Sequence, residues 1–298
     1  MEGKVLFFEG TNAIVRFDGG EGCFKVRGKI KNIKNGIIVG DNVLVNTENG
    51  VVEEVQERRN QLIRPSVANI DQIIICLSFS PPADLLMVDK LIIASIKNNI
   101  TPIICITKND ILDENFAKNI KEQYKGINLK IITASVLKEN GLIEILSVLR
   151  NKTSVLAGQS GVGKSSLINA ICGTNIKTSN LVKNDIRGKN TTTASRLYTI
   201  DKNTFIIDTP GFCTINLELK NAEEILSLYP DIYKYASFCK YKSCNHINKT
   251  SEECGVIYAL NKGEINKERL NRFYKFYETE SGKRTKFSKG IKGGRKNV

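Results

Sequence analysis

Residues Gly158-Gln159-Ser160-Gly161-Val162-Gly163-Lys164-Ser165 fill the pattern G-x-x-x-x-G-K-[ST], and each fixed position in it has a mechanical job. Glycines let successive backbone N–H groups turn inward around phosphates. The lysine reaches the outer phosphates, and the serine hydroxyl ligates Mg²⁺. The apolar run Thr153 to Ala157 enters this loop as a strand, and Ser166 to Ala170 leaves it as a helix with its positive end toward the phosphates. That context argues against a glycine-rich surface turn and for a nucleoside triphosphate site.

The base is read elsewhere. Thr107-Lys108-Asn109-Asp110 closes the apolar strand Thr101 to Ile106 and is close to the pattern N/T-K-x-D. An aspartate there accepts both the N1–H and the exocyclic N2–H of guanine, a pair that adenine does not present, and the lysine stem can lie against the base plane. Alone, four such residues at a strand end are as often a turn as a base reader. Two companions strengthen the reading. Lys130-Ile131-Ile132 runs into Thr133-Ala134-Ser135, where a backbone N–H could meet guanine O6. Phe205 to Asp208 runs into Asp208-Thr209-Pro210-Gly211, a D-x-x-G segment. Its aspartate acts through Mg²⁺, and the Gly211 N–H can sense the γ-phosphate. Base-reading motifs therefore precede the phosphate loop, whereas an ordinary small GTPase has them last. Asn261-Lys262-Gly263-Glu264 would restore the ordinary order, but its acid is Glu and no Ser/Thr-Ala-Ser/Lys segment follows. A doubly wound sheet tolerates new termini in surface loops, so the permuted order is physically reasonable.

A second chemistry lies near the C-terminus. Cys239-x4-Cys244-x-His246-x7-Cys254 collects three cysteines around the chain's single histidine. Three thiolates and one imidazole make a closed tetrahedral Zn²⁺ site, structural rather than catalytic. Of the other cysteines, Cys76, Cys105 and Cys172 read as packing residues, while Cys23 and Cys213 are left open.

The chain resembles, along nearly its whole length, the circularly permuted ribosome small-subunit-dependent GTPase A family (RsgA/YjeQ). The resemblance rests on Arg64 to Gln72, Thr107 to Asp110, Gly158 to Ser165, Gly188-Lys189-Asn190-Thr191-Thr192-Thr193, Asp208 to Phe212 and the Cys/His cluster. It implies a multidomain α/β protein: an N-terminal OB-fold β-barrel, a circularly permuted phosphate-loop GTPase domain and a C-terminal, mainly helical zinc domain. It also implies GTP hydrolysis in late maturation of the 30S ribosomal subunit, on 16S rRNA. The implied cofactors are Mg²⁺ with GTP, held by Ser165 and Thr192, and one structural zinc. Two departures concern hydrolysis. Phe212 follows D-x-x-G where small GTPases often place a water-orienting glutamine. Asn190 stands where the family commonly has a histidine before the threonine run, so it is the candidate group for orienting water. The final zinc spacer is also longer than the family's usual one. A different class of function, a nucleotide-regulated RNA-binding placeholder with negligible turnover, stays open, and an ATP-dependent kinase or helicase would be excluded by GDP binding without ADP binding.

The elements that must position these residues follow from pattern. Lys4 to Phe8, Asn12 to Phe17, Gly22 to Lys25, Lys29 to Ile33 and Asp41 to Asn46 read as five short strands of a small barrel. From residues alone an SH3-like barrel suits them nearly as well as an OB-fold; the resemblance favours the latter. Glu57 to Asn60 reads as a linker. Ile73 to Leu77, a helix over Asp84 to Lys97, and the strands around Ile103, Ile131 and Val155 alternate as a mostly parallel sheet requires. The expected division is 1–60, 61–215 and 216–298. At 298 residues with 41% hydrophobic content and no long apolar run, the chain reads as a cytoplasmic protein, a monomer without a membrane span. Its net charge of +13 favours a polyanionic partner. From Ser281 onward the tail is basic and free of acids, which suits an arm that orders on RNA. Arg269, Arg272, Phe273, Tyr274 and Tyr277 form a basic, aromatic helix suited to RNA contact, with part of its aromatics available to the core.

Overall fold

The computed structural model describes residues 1–31, 36–108, 110, 114–176, 195–209, 217, 219, 222–242, 244–247 and 249–292, for residues 29, 31, 114, 174–176, 222, 223 and 281–292 the backbone alone. Two compact units emerge: Met1–Leu112 with Lys130–Asn216, and Asp113–Leu129 with Leu217–Val298. The stretch between the two base-reading segments thus belongs with the C-terminal region rather than with the sheet that flanks it.

The first unit begins with a closed barrel in the order β1-β2-β3-β5-β4. Its strands are β1 (Glu2–Glu9), β2 (Asn12–Phe17), β3 (Gly20–Val26), β4 (Asn42–Asn46) and β5 (Val51–Val55). Val5, Val15, Phe24, Val43 and Val52 fill its interior. Five strands were expected, but one was misplaced. Gly28–Lys31 is a helical turn, α1, whose Ile30 plugs the barrel core, and the fifth strand is β5. The expected linker is firmly tied. Buried Asp41 receives Arg58 through Nε at 2.7 Å and Nη2 at 2.8 Å, and the Asn60 amide bonds Ile70 in both directions at 2.8 Å. A short ladder, β6 (Gln61–Leu62) with β7 (Val67–Ala68), follows.

Beyond it lies a six-stranded sheet in the order β10-β9-β8-β11-β13-β12. Its strands are β8 (Gln72–Leu77), β9 (Thr101–Ile106), β10 (Lys130–Thr133), β11 (Thr153–Ala157), β12 (Arg196–Asp201) and β13 (Thr204–Asp208). All pair in parallel except β12 with β13. Every residue of β8 and β11 is buried, as strands covered on both faces must be. Helices α2 (Leu85–Lys97), α4 (Ile143–Leu149) and α5 (Lys164–Ile176) accompany the sheet. Asp84 caps α2 by accepting from the Leu86 and Met87 N–H groups at 3.0 Å. This geometry brings the carboxyl ends of β9, β10, β11 and β13 to one edge, the position where open α/β sheets bind ligands.

The second unit contains α3 (Glu114–Gln123), α6 (Ala222–Ser227), α7 (Pro230–Ala236), α8 (Gly255–Asn261) and α9 (Lys267–Lys292). Its core is aromatic and ionic. Tyr229 meets Phe273 edge-on at 5.1 Å, and Arg269, 1% exposed, pairs with Asp231 at 2.6 Å and lies 5.1 Å over the Tyr124 ring. Arg272 Nη1 donates to the Gln123 side-chain oxygen Oε1 at 2.5 Å. Of the α9 aromatics read as suited to RNA or core, Phe273 is buried, while Tyr274 and Tyr277 are half-buried and Tyr274 donates its hydroxyl to the His246 carbonyl at 2.5 Å. The backbone beyond Ser281, read as an arm that orders on RNA, continues α9 as helix to Lys292. Among the described residues, no helix is long and apolar enough to cross a membrane.

Candidate functional site

The phosphate loop leaves the buried strand β11 at Gly158 and enters α5 at Lys164. Gly158 has φ +141°, and a Cβ there would come within 2.2 Å of the Cys76 carbonyl oxygen. Only glycine lets β8 press against the loop at that point. Gly161 and Gly163 are also left-handed, at φ +81° and +94°. The loop curls around Lys164, whose Nζ donates to the carbonyls of Gly158 and Gln159 at 2.7 Å each. Gln159 fastens the loop outward, its side-chain oxygen accepting from the Asp84 N–H at 2.9 Å. Ser160, Ser165 and Ser166 are exposed, while Val162 is buried beneath them.

Thr107 joins base-reading strand to phosphate loop. Its hydroxyl lies 2.5 Å from the Val162 carbonyl oxygen and 3.1 Å from that of Leu77. Lys108 takes φ +55° and stretches its ammonium to the Ser80 carbonyl at 2.8 Å. Asp110 receives the Ser135 hydroxyl at 2.5 Å, and that bond holds its carboxyl below the usual carboxylate range. The same Ser135 oxygen accepts the N–H groups of Leu137 at 3.1 Å and Lys138 at 3.3 Å, so one hydroxyl sets both the acid and the turn. Between these segments is a cavity of about 310 Å³. Thr107, Lys108 and Asp110 line it from the end of β9, Ala134 to Leu137 from the end of β10, and Val162, Gly163, Ser166 and Leu167 from the phosphate loop and α5.

The three N–H groups expected near O6 are engaged within the protein. Thr133 N–H already donates to Glu144 Oε2 at 2.6 Å, Ala134 N–H to the Ile106 carbonyl at 2.9 Å and Ser135 N–H to the Gly141 carbonyl at 3.0 Å. Val136 is the next residue lining the cavity, and its N–H has no partner among the described residues. It directly follows Thr133-Ala134-Ser135, the segment read from the sequence as the O6 contact. The usable signal was the Ser135 hydroxyl, the group able to brace Asp110.

Asp208 ends β13 half-buried; burial pushes its carboxyl up, and the nearby Lys164 ammonium and the Thr209 N–H pull it down. A carboxylate facing the loop lysine suits a cation-binding position. Asn109, Asn190, Thr191, Thr192, Thr193, Pro210, Gly211, Phe212 and Cys213 lie outside the described residues.

In the second unit Cys239, Cys244, His246 and Cys254 present four ligand atoms, all within 4.8 Å of one another. His246 Nδ1 is 3.5 Å from Cys239 Sγ and 3.4 Å from Cys254 Sγ, and the two sulfurs are 3.7 Å apart. A zinc tetrahedron with ordinary bond lengths has S···S edges of about 3.8 Å and S···N edges of about 3.5 Å. The residues fit the ion. A turn with His246 at φ +58° aims the ring inward. Burial pushes the Cys254 thiol up to about 12, so a cation is what would hold it as thiolate.

A parallel sheet with phosphate loop, base pocket and D-x-x-G strand at one edge, in permuted order behind a barrel, defines a circularly permuted GTPase with a Cys3His cluster after it. Comparison with known proteins narrows the class. The RsgA GTPase family pattern matches residues 55–218. Curated "Small ribosomal subunit biogenesis GTPase RsgA" proteins are similar to this chain. That of Clostridium acetobutylicum is 38% identical over 258 residues, covering 84% of this chain and 87% of that protein. That of Caldanaerobacter subterraneus subsp. tengcongensis is 34% identical over 250 residues, covering 82% and 84%. Among solved structures, YjeQ from Thermotoga maritima superposes with TM-score 0.77 at 31% identity over 93% of this chain and 97% of its own. YloQ, described as a circularly permuted GTPase, gives 0.73 at 30% identity over 95% of each. The chain belongs to the RsgA GTPase family, and it is a GTP hydrolase.

Proposed function

We propose that this chain binds the small (30S) ribosomal subunit during late maturation, hydrolyses GTP there, and turns over faster when the subunit is present. The observation that supports it most is the joining of a guanine pocket at Asp110 and Ser135 to the Lys164 loop by Thr107, in a chain whose relatives are named for small-subunit biogenesis. In this reading Asp110 accepts the two guanine N–H groups, the Val136 N–H meets O6, and the Lys108 stem covers one face of the base. The backbone from Gly158 to Ser166 and the Lys164 ammonium surround the phosphates. Ser165 and Thr192 would hold Mg²⁺, with Asp208 behind it, and the ion would supply neutralisation of phosphate charge. The Gly211 N–H senses the γ-phosphate, and the Asn190 amide orients water without taking its proton. GTP orders the 191–193 and 208–211 segments, and hydrolysis releases them. Cys239, Cys244, His246 and Cys254 hold one structural zinc, whose binding energy supports a small unit. The partner surface is 16S rRNA, which the +13 charge suits, and the protein works as a cytoplasmic monomer.

Co-sedimentation of the full chain with 30S subunits in GDP and in a non-hydrolysable GTP analogue tests the partner. Retention should be stronger with the analogue. Equal retention in both nucleotides, or none in either, would remove nucleotide-controlled docking from the account.

A further inference from the structure

The aromatic groups that α9 buries have counterparts in the same unit that face solvent. Phe238 is 76% exposed, Tyr258 52% and Tyr241 48%. Large apolar groups gathered on a surface mark an interaction site. These rings are interleaved with positive charge. The Lys240 and Lys249 ammonium groups lie 5.8 and 5.9 Å from the centre of the Tyr241 ring, and Lys262 lies 5.7 Å from that of Tyr258.

The patch is also rigid at its most exposed point. Phe238 immediately precedes the cluster residue Cys239. A Cβ on Gly255 would sit 2.4 Å from the Tyr235 carbonyl oxygen and 2.7 Å from Phe238 Cβ, so α8 presses directly on this turn. Lys240 N–H donates to the Glu253 carbonyl at 3.0 Å, fastening the other end. Tyr258 stands three residues after Gly255, on the side of α8 that meets Phe238. The backbone that carries Phe238 is thus fixed on both sides, with its exposed ring projecting from it.

We infer that Phe238, Tyr241 and Tyr258 form a stacking surface for unpaired RNA bases, with Lys240, Lys249 and Lys262 positioned for the phosphates between them. Every base has a π-face, so aromatic platforms beside cations hold single strands with little regard to sequence. Unpaired bases are also the part of RNA that side chains can reach. A protein-facing patch would be depleted of charge at its centre, whereas here a lysine accompanies each tyrosine. The inference rests on RNA being the partner and names the surface and the form of RNA it takes.

The test uses the full chain, loaded with zinc and GDP, and anisotropy of a labelled oligouridylate of about twelve nucleotides against a duplex of equal length. Phe238→Ala and Tyr241→Ala should each weaken single-strand binding by about 5- to 100-fold. Duplex binding, zinc content and GDP affinity should stay unchanged, and Tyr241→Phe should bind as the parent does. Parental single-strand affinity in both alanine variants overturns the surface, as does an equal loss on the duplex. A loss confined to 30S co-sedimentation, with oligouridylate binding intact, assigns the patch to a protein and overturns the RNA inference. If the parent chain itself fails to sediment with 30S subunits, the small-subunit reading falls, while the oligouridylate comparison still decides the stacking surface.

Discussion

Thr107→Val tests whether one hydroxyl holds the base-reading strand to the phosphate loop. Thr107 is 3% exposed, and valine keeps its shape while deleting the donor. Of the two carbonyls that the hydroxyl serves, Leu77 keeps the Thr107 N–H at 2.8 Å. Val162, at 0% exposure, loses the Thr107 hydroxyl, its partner at 2.5 Å. A buried acceptor left unsatisfied costs about 1–3 kcal/mol. The bond exists before nucleotide arrives, so the cost falls first on folding. For a unit of this size each kcal/mol lowers the melting midpoint by about 2–4 °C, giving a drop of about 2–12 °C. GDP affinity should fall only as far as the loop loosens, by about tenfold or less, since one neutral hydrogen bond contributes about 0.5–1.5 kcal/mol. Thr107→Asn is the companion. On residue type alone a hydroxyl in place of the usual amide would sacrifice one bond, yet this hydroxyl already makes two contacts, so asparagine should not tighten GDP. Thermal unfolding with and without GDP, combined with a GDP titration, reads both quantities. An unchanged midpoint and GDP affinity in the valine variant would refute the reasoning, and so would a tenfold gain from asparagine.

Ser135→Ala removes the hydroxyl that holds Asp110 below the carboxylate range. The depressed acid stays ionised to lower pH, so guanine binding by the parent should be lost only on strong acidification. The variant should lose it at higher pH, and superimposable acid limbs in GDP titrations would contradict this. Asp110→Asn should weaken GTP and improve xanthosine triphosphate binding in direct competition. Cys239→Ser or His246→Ala should release zinc, measured by metal analysis, and loosen the second unit while GDP binding persists; less than half an equivalent of zinc in freshly purified parent protein would count against the site. Lys164→Ala should abolish hydrolysis, and Asn190→Ala should lower subunit-stimulated kcat at normal GTP binding; an unchanged kcat removes Asn190 from the mechanism.

Local spacing made much of the chemistry legible: the phosphate loop confines its residues to one strand-to-helix turn, and the Cys/His cluster to the connection between α7 and α8. What escaped depended on partners far along the chain. Arg269 and Arg272 look like RNA contacts until Asp231, Tyr124 and Gln123 are seen packed against them, residues no local pattern connects. Strand β5 was missed because Glu53 and Glu54 interrupt its alternation, leaving only Val52 buried. Lys29 to Lys31 alternates like a strand, yet Ile30 is buried as the plug of a helical turn. The register of the proposed O6 donor depends on where β10 stops. Ala134 N–H still bonds the Ile106 carbonyl of β9, so the first uncommitted N–H lies beyond Ser135.

Multiple-turnover phosphate release from GTP, followed while 30S subunits are titrated into a fixed amount of this protein, tests the central claim most directly. The account predicts slow release by the isolated chain, a rise that saturates with subunit, and loss of both in Lys164→Ala. Release that is indifferent to subunit, or a parent chain that binds GTP on subunits without repeated turnover, would contradict it.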